Sequence, residues 1–294
     1  MSRAAAWLAI GCLVAAAPAL AAGTLPHTDP VPGGVIRVPL AGSGYAGHGR
    51  VRFRGHRVLT LQRGGKWYAL VGLPLSLQPG RHRLSVRPRG DDAHPVTFSV
   101  KPAHYATQKI RVAPKLADPD PSQVRAIDRQ HRRVHRVLNQ WRSATPAFGF
   151  RPPVHGIVSS GFGLRRVING QPRAPHGGLD IAAPRGTPVA APAAGTVALV
   201  GHDYFYDGNT VVIDHGDGLM SLYLHLSSIA VKRGQHVTAG TRIGRIGATG
   251  LATGPHLHWG IALNGTMVDP KLFLTGPVRP RSQGRARGTG QRAP

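Results

Sequence analysis

Short runs in which apolar and polar residues alternate are the feature that most restricts the fold of this chain. In the first half they occur at 35–38, 83–87 and 96–100, and turn signals such as Gln78-Pro79-Gly80 separate them. A period of two is typical of β-strands that bury one face. We therefore expect a small β-sandwich of the immunoglobulin-like type over residues 22–112.

Residues 150–275 are rich in glycine and predict a second β domain, with antiparallel strands paired in hairpins. In the segment GPHLHWGI, at 254–261, a strand would place His256 and His258 on one side and Leu257 and Trp259 on the other. One face is then apolar, while the other carries imidazoles next to small residues. This pattern indicates a core strand whose second face carries chemistry, in a protein that is mainly β.

One amphipathic helix is expected in the linker between the two domains, at residues 113–149. Asp120 is a typical N-cap residue, Pro121 would occupy the first helical position, and Gln123 stands where a capping box requires it. Apolar residues then recur at helical spacing as far as Trp141, with arginines between them. We expect the apolar stripe of this helix to pack on a domain.

The first 21 residues have the pattern of a secretory signal peptide. Arg3 is followed by an apolar stretch at 4–17 and by small residues up to Ala21. We therefore expect cleavage after Ala21 and export to the periplasm, with secretion or association with the cell wall as the alternative. No later segment approaches the ~20 consecutive apolar residues of a transmembrane helix.

Composition excludes several kinds of catalytic site. Cys12 is the only cysteine and would leave with the signal peptide, so no disulfide, thiolate nucleophile or cysteine zinc site is expected. All 12 acidic residues are aspartates, which removes every mechanism that needs a catalytic glutamate.

The charge of the chain indicates an anionic partner. A net charge of +25 favours polyanions. Because the chain is predicted to be exported and carries no recognisable nucleic-acid-binding motif, we expect cell-wall polymers and not nucleic acid. The basic tail at 276–294 lacks apolar residues that could anchor it, so we expect it to be disordered.

Histidines and one aspartate form the strongest chemical pattern. His176 stands four residues before Asp180, and the glycines at 177–178 would let the chain turn so that the two side chains converge. Together with His256 and His258 they supply imidazoles and a carboxylate from distant segments. Such a set suits zinc with one coordination position left open to water.

A third segment could add another imidazole to this site. If residues 220–226 form a strand, Ser221, Tyr223 and His225 share one face. His225 could then point into the same site. Tyr223 is interpreted as a core or groove-lining residue, and His202, His215 and His236 are interpreted as structural histidines.

Five motifs, in this order, resemble those of the lysostaphin-type or LytM-like zinc metallopeptidases, which cleave peptide bonds of peptidoglycan: GFGLRR, HGGLDIAAPRGTPV, SLYLHLS, VKRGQHVTAGTRIG and TGPHLHWGI. The resemblance covers residues 150–274, and the front region is weakly similar to the non-catalytic part of periplasmic relatives. It implies one zinc ion per chain, held by His176, Asp180 and His258. It also implies that His225 and His256 are the catalytic pair, without deciding which of them is the general base.

We therefore expect a zinc endopeptidase that hydrolyses peptide cross-links or stem peptides of peptidoglycan through a metal-activated water. Two alternative functions compete with this one. A catalytically silent relative could activate another cell-wall hydrolase, although such proteins lack ligands that this chain keeps. A biotinyl or lipoyl carrier would need a modifiable lysine at a hairpin tip, and none stands there. The cleaved bond, and whether the front region orients or covers the groove, are left open.

Overall fold

The computed structural model describes residues 24–42, 45 and 50–279. The predicted signal peptide and residues 280–294 of the predicted tail lie outside the described residues. Within the described part, no helix has both the length and the apolar character that crossing a membrane requires.

The front region consists of two small antiparallel sheets with a common core. One sheet has the order β1-β5-β4 and the other β3-β2-β6-β7. Buried residues of both sheets, among them Val38, Val71, Leu84 and Phe98, form one hydrophobic cluster. The immunoglobulin-like topology stays a prediction. The strands are β1 (Val35–Leu40), β2 (Val51–Phe53), β3 (His56–Arg57), β4 (Leu59–Arg63), β5 (Lys66–Gly72), β6 (Gly80–Val86) and β7 (His94–Val100).

The predicted linker contains a short helix α1 (Pro114–Ala117) besides the main helix α2 (Pro121–Leu138), and a strand β8 (Thr107–Ile110) precedes it at the end of the front region. Helix α2 begins with the predicted capping box, in which the Asp120 carboxylate accepts from backbone N–H groups and the Gln123 side chain accepts from the Asp120 N–H. It ends three residues earlier than predicted, since Asn139 forms the C-cap. Its buried residues Val134, Val137 and Leu138 pack against the large sheet.

The second domain is built on a ten-stranded antiparallel sheet, which confirms the mainly β fold. Its main path has the order β17-β14-β15-β16-β19-β12-β9. The strands of this region are β9 (Ile157–Ser160), β10 (Arg165–Ile168), β11 (Gln171–Pro172), β12 (Leu179–Ala182), β13 (Pro188–Ala190), β14 (Gly195–Tyr204), β15 (Gly208–Gly216), β16 (Leu219–Ile229), β17 (His236–Val237), β18 (Arg242–Ile246), β19 (His256–Leu263) and β20 (Thr266–Val268), followed by a 3₁₀ helix at Pro270–Phe273.

The central strand β19 has the two faces that its alternation predicts. Leu257, Trp259 and Ile261 are fully buried in the largest hydrophobic cluster. His256 and His258 lie on the other face and are partly exposed. The apolar side therefore anchors the strand, and the side with the imidazoles is available for a site.

Strand β8, at the end of the front region, is attached to the second domain. It pairs in parallel with β10, which also pairs with β11, and these three strands form a separate small sheet. At the other end of the domain, Val278 packs against the core and the backbone carbonyl of Arg279 accepts from the Gly156 N–H. The disorder expected for the tail therefore remains a prediction for residues 280–294.

Candidate metal centre

Pairing between β12 and β19 brings the predicted ligands together. Asp180 lies directly opposite His258 in this antiparallel pair, so their side chains share a face. His176 precedes β12 and reaches the same point. His176 Nε2 lies 2.9 Å from Asp180 Oδ1 and 3.0 Å from His258 Nδ1, and the latter two atoms are 2.9 Å apart. Two imidazole nitrogens and one carboxylate oxygen thus converge on one point.

The chemistry of these donors fits a cation. The Nδ1–H of His176 donates to the Gly161 carbonyl at 2.6 Å, so its Nε2 presents a lone pair when the ring is neutral. The histidine ring is buried, which leaves water little access to that nitrogen. Three lone-pair donors at such separations are compatible with a shared divalent ion, and nitrogen with carboxylate oxygen is a donor set that zinc accepts.

The glycine at 178 is required by the space around it. A Cβ placed there would lie 2.6 Å from His258 Nε2 and 2.7 Å from the Trp259 carbonyl oxygen. Neither Gly177 nor Gly178 has a positive φ angle. The chain bends at Gly178 without a left-handed residue, and the absence of a side chain there also makes room for the His258 ring.

Arg166 was not predicted from the sequence as a site residue, and it lies behind Asp180. Its guanidinium donates to Asp180 Oδ2 at 3.0 Å, while Oδ1 faces the two histidines. Burial raises the pKa of the Asp180 carboxyl, but the close His176 and His258 imidazoles outweigh this effect and leave the pKa well below its usual range. Asp180 is consequently an ionised carboxylate whose two oxygens have different partners.

His225 reaches the site by a route that the alternation did not predict. In the pairing of β16 with β19, Leu224 lies opposite His258 and Tyr223 opposite Trp259. Regular alternation would therefore put His225 on the Tyr223 face, away from His258. Instead, His225 has a left-handed backbone with φ +63, and its ring centroid lies 4.8 Å from that of His256. Local backbone conformation brings this side chain to the site.

The pairing of β16 with β19 also shows on which side of the sheet Ser221 and Tyr223 lie. Ser221 and Tyr223 are fully buried and belong to the core side of the sheet. The expectation that Ser221, Tyr223 and His225 share the site's face is wrong, because the left-handed residue interrupts the alternation. Tyr223 is a core residue, in agreement with its interpretation from the sequence.

His225 and His256 are held in the same tautomer. The Nδ1–H of His225 donates to the Thr249 carbonyl at 2.8 Å, and that of His256 donates to the Gly254 carbonyl at 2.8 Å. Each ring therefore keeps Nε2 as the acceptor. Burial, followed by repulsion from the neighbouring imidazoles, lowers the pKa of His225 to about 3. The His225 ring is consequently neutral near pH 7.

A groove of about 330 Å³ opens next to these residues. His225, His256 and Asp180 line it together with the loop at 251–255. Part of its lining comes from the end of the front region: Gln108, Ile110 and Val112 line the groove, and the Gln108 side-chain oxygen accepts a hydrogen bond from the Ser160 hydroxyl at 3.1 Å. No sequence pattern indicated this wall, since strand β8 is short and none of its residues is fully buried.

His215, one of the histidines interpreted as structural, differs from the histidines of the groove in its hydrogen bonding. It is buried, its Nδ1–H donates to the Ala194 carbonyl at 2.7 Å, and its Nε2 lies 2.7 Å from the Ser221 hydroxyl. Both ring nitrogens are therefore satisfied within the core. His202 and His236 are exposed, and neither lines the groove.

Two regions of the chain match models of known protein families. Residues 174–270 match the model of peptidase family M23, and residues 28–102 match the model of its N-terminal domain. The crystal structure of a putative peptidase M23 from Pseudomonas aeruginosa aligns with a TM-score of 0.70 and 39% identity, covering 84% of this chain and 96% of that one.

Two of the curated relatives each match less than half of this chain. Peptidoglycan DD-endopeptidase ShyA of Vibrio cholerae is 48% identical over 113 residues, which are 38% of this chain and 26% of the relative. DD-carboxypeptidase/endopeptidase Mpg of Neisseria meningitidis is 42% identical over 123 residues, 42% of this chain and 28% of the relative. The chain thus matches only about a quarter of the length of these relatives.

Proposed function

This chain belongs to peptidase family M23, and we propose that it is a zinc-dependent endopeptidase that hydrolyses peptide cross-links or stem peptides of peptidoglycan. The observation that carries the proposal is the convergence of His176, Asp180 and His258 within 2.9–3.0 Å, next to two further imidazoles in an open groove. The names of the relatives, which include a peptidoglycan DD-endopeptidase, support this substrate class.

His176, Asp180 and His258 would hold the zinc ion. When bound, zinc supplies a Lewis acid that polarises the scissile carbonyl and makes water a stronger acid. Arg166 holds the second oxygen of Asp180, so the carboxylate presents one oxygen to the centre. The Gly161 carbonyl orients the His176 ring in the same way, by accepting its Nδ1–H.

His225 and His256 would move the proton. Each ring has its Nδ1–H engaged with a backbone carbonyl, so Nε2 is the atom that can accept a proton from water and return it to the leaving amine. The lowered pKa of His225 keeps that nitrogen unprotonated near neutral pH. The two rings are 4.8 Å apart between centroids, so both could reach the same substrate group. One would act as the general base, and the other would stabilise the oxyanion in the state in which its Nε2 carries a proton.

The groove would hold an extended peptide, and the end of the front region would help to shape it. Ile110 and Val112 offer apolar surface on one wall, and the loop at 251–255 forms the other. We assign residues 22–112 as a β-sandwich domain, 113–149 as a linker and 150–275 as the peptidase domain. In this division the front region orients a groove wall through β8, which pairs with β10.

A silent activator of another hydrolase is the second candidate, and the site disfavours it. All three proposed ligands and both further imidazoles are present and face one point. Peptidoglycan as substrate implies an extracytoplasmic location, for which we propose the periplasm. The net charge of +25 would favour encounter with the anionic cell wall.

Digestion of purified sacculi tests the proposal. Zinc-loaded protein should release soluble muropeptides, and mass spectrometry of these products should show which peptide bond has been cleaved. A chelator should stop the release, and added zinc should restore it. Sacculi that remain intact with zinc-loaded, folded protein would reject the peptidase and favour the activator, which is then assayed by adding a second cell-wall hydrolase.

A further inference from the structure

A basic pocket lies far from the groove, where the front domain, the linker and the second domain meet. We call it the junction pocket, and its volume is about 250 Å³. Its lining includes Arg52, His56 and Arg57 from the β2–β3 hairpin, residues 139–141 after helix α2, and residues 264–265 of the β19–β20 turn. No aspartate is among its lining residues.

The hairpin places two arginines against each other. Arg52 lies directly opposite Arg57 in the antiparallel pair, so the two side chains share one face. The hairpin turns through Arg54 and Gly55, both with positive φ, which fixes the strands in this register. Like charges directly opposite each other destabilise a strand pair, unless an anion neutralises them.

Hydrogen-bond donors are in excess at this pocket. Neither Arg52 nor Arg57 forms an ion pair with any described carboxylate, and one guanidinium nitrogen of Arg52 donates to the Gly55 carbonyl. The guanidinium of Arg57 lies over the Trp141 ring, 5.9 Å from its centroid. The indole N–H of Trp141 is buried without a hydrogen-bond partner among the described residues.

We propose that the junction pocket binds a small oxyanion with two or more negative charges, of the phosphate or carboxylate class. Guanidinium groups recognise such oxygens with paired N–H donors. The stacking of Arg57 on Trp141 holds its donors in place, and Arg52 lies across the hairpin from it. This proposal concerns a second site and does not depend on the peptidase activity.

An anion bound in the junction pocket would connect the front domain to the end of helix α2 and to the second domain. The β19–β20 turn already packs closely on the end of helix α2, since a Cβ at Gly265 would lie 2.4 Å from Asn139 Oδ1. An anion between this region and the β2–β3 hairpin would add contacts from the front domain. We therefore expect the ligand to raise the thermal unfolding midpoint of the full mature protein, because it binds only the assembled junction.

Calorimetric titration with inorganic pyrophosphate tests the pocket, with tricarballylate as the carboxylate arm and sodium chloride at equal ionic strength as the reference. Zinc-loaded protein should bind at least one of the two oxyanions saturably. Arg57→Gln and Arg52→Gln should each weaken binding by about tenfold or more, the loss expected for one charge-assisted contact. Arg81→Gln, which removes the same charge from exposed β6 outside the pocket, should leave the affinity within about twofold.

The three variants distinguish binding in the junction pocket from binding anywhere else on the protein. Equal weakening in all three would mean that the net charge binds the anion, and no weakening in any would place binding elsewhere, including at the zinc centre. Either result, or the absence of binding by both oxyanions, overturns the proposal. Arg52 is exposed, so Arg52→Gln remains informative if Arg57→Gln unfolds.

Discussion

Two buried histidines, at opposite ends of the β15–β16 pair, differ in what their second nitrogen does. His215 uses both nitrogens within the core, on the Ala194 carbonyl and the Ser221 hydroxyl. His225 uses Nδ1 on the Thr249 carbonyl, and its ring lines the groove. Burial lowers the pKa of both, to about 4 for His215 and about 3 for His225. A perturbed pKa therefore does not distinguish a functional histidine from a structural one, whereas a nitrogen left for a ligand does.

The largest expected effect comes from comparing two carboxylates, one in the groove beside His225 and one near His215. Asp180→Ala should reduce bound zinc from about one ion per chain to almost none and abolish hydrolysis, because it removes one of the three proposed ligands. Asp214→Ala should retain zinc and lose ~1–3 kcal/mol of unfolding free energy, since Asp214 bonds Arg142 and the Gly216 N–H far from the site. Metal analysis of the purified variants, together with urea unfolding, measures both effects. Stoichiometric zinc in Asp180→Ala would contradict the assignment of the centre.

The histidines themselves give the next effect. His225→Gln should lower the rate of peptide release by ~10²- to 10⁴-fold, the usual contribution of a proton-transferring side chain, while the protein stays folded and keeps its zinc. His215→Gln should leave the rate per folded molecule unchanged and destabilise the fold by ~1–3 kcal/mol. Rates on sacculi and urea unfolding, measured on both variants, check this reciprocal pattern. Equal rate losses in the two variants would contradict the assignment of His225 to catalysis and of His215 to the core.

Acid should lower the stability of the fold through His215. Above its ordinary pKa of 6.5 the ring is neutral in the folded and unfolded chain; between that value and about 4 only the unfolded chain gains the proton. Stability therefore falls by ~1.4 kcal/mol per pH unit in this window and levels off below it, for a loss of roughly 3 kcal/mol. Urea unfolding between pH 7 and 4 should show a steeper decline for the unmodified protein than for His215→Gln. Parallel declines would show that this ring does not titrate on unfolding.

The smallest expected effect comes from Arg166, the side chain that holds the second oxygen of Asp180. Arg166→Gln should weaken zinc binding by roughly 10- to 100-fold, the usual result of losing a partner that orients a ligand. Competition with a chromophoric chelator measures the affinity without reference to activity. The neighbouring Arg165→Gln removes the same charge from an exposed side chain outside the groove and should leave the affinity unchanged. Equal losses in both variants would assign the effect to net charge.

Local patterns in the sequence predicted the parts of the fold that depend on near neighbours. The capping box at Asp120 and Gln123 forms as expected, because all of its hydrogen bonds join residues within four positions. The two faces of β19 follow from the period of a strand. The three proposed ligands were selected by the resemblance of their motifs, and the structure brings all three together.

The features that the sequence did not predict depend on distant partners. Strand β8 becomes a groove wall only because it pairs with β10, more than 50 residues away. Arg166 acquires its role because β10 and β12, which belong to different sheets, bring it next to Asp180, 14 residues later in the chain. The space left by Gly178 matters only because the His258 ring, 80 residues later, needs it.

The sequence by itself determined the β periodicity, the start of helix α2, the excess of positive charge and the set of side chains that can bind a metal, since these follow from residue type and short-range spacing. Only the tertiary structure decided which face His225 uses, which oxygen of Asp180 meets Arg166, and where Arg52 and Arg57 lie side by side. The physical reason is that strand register and a single left-handed residue redirect side chains, and both are set by packing between segments that are remote along the chain.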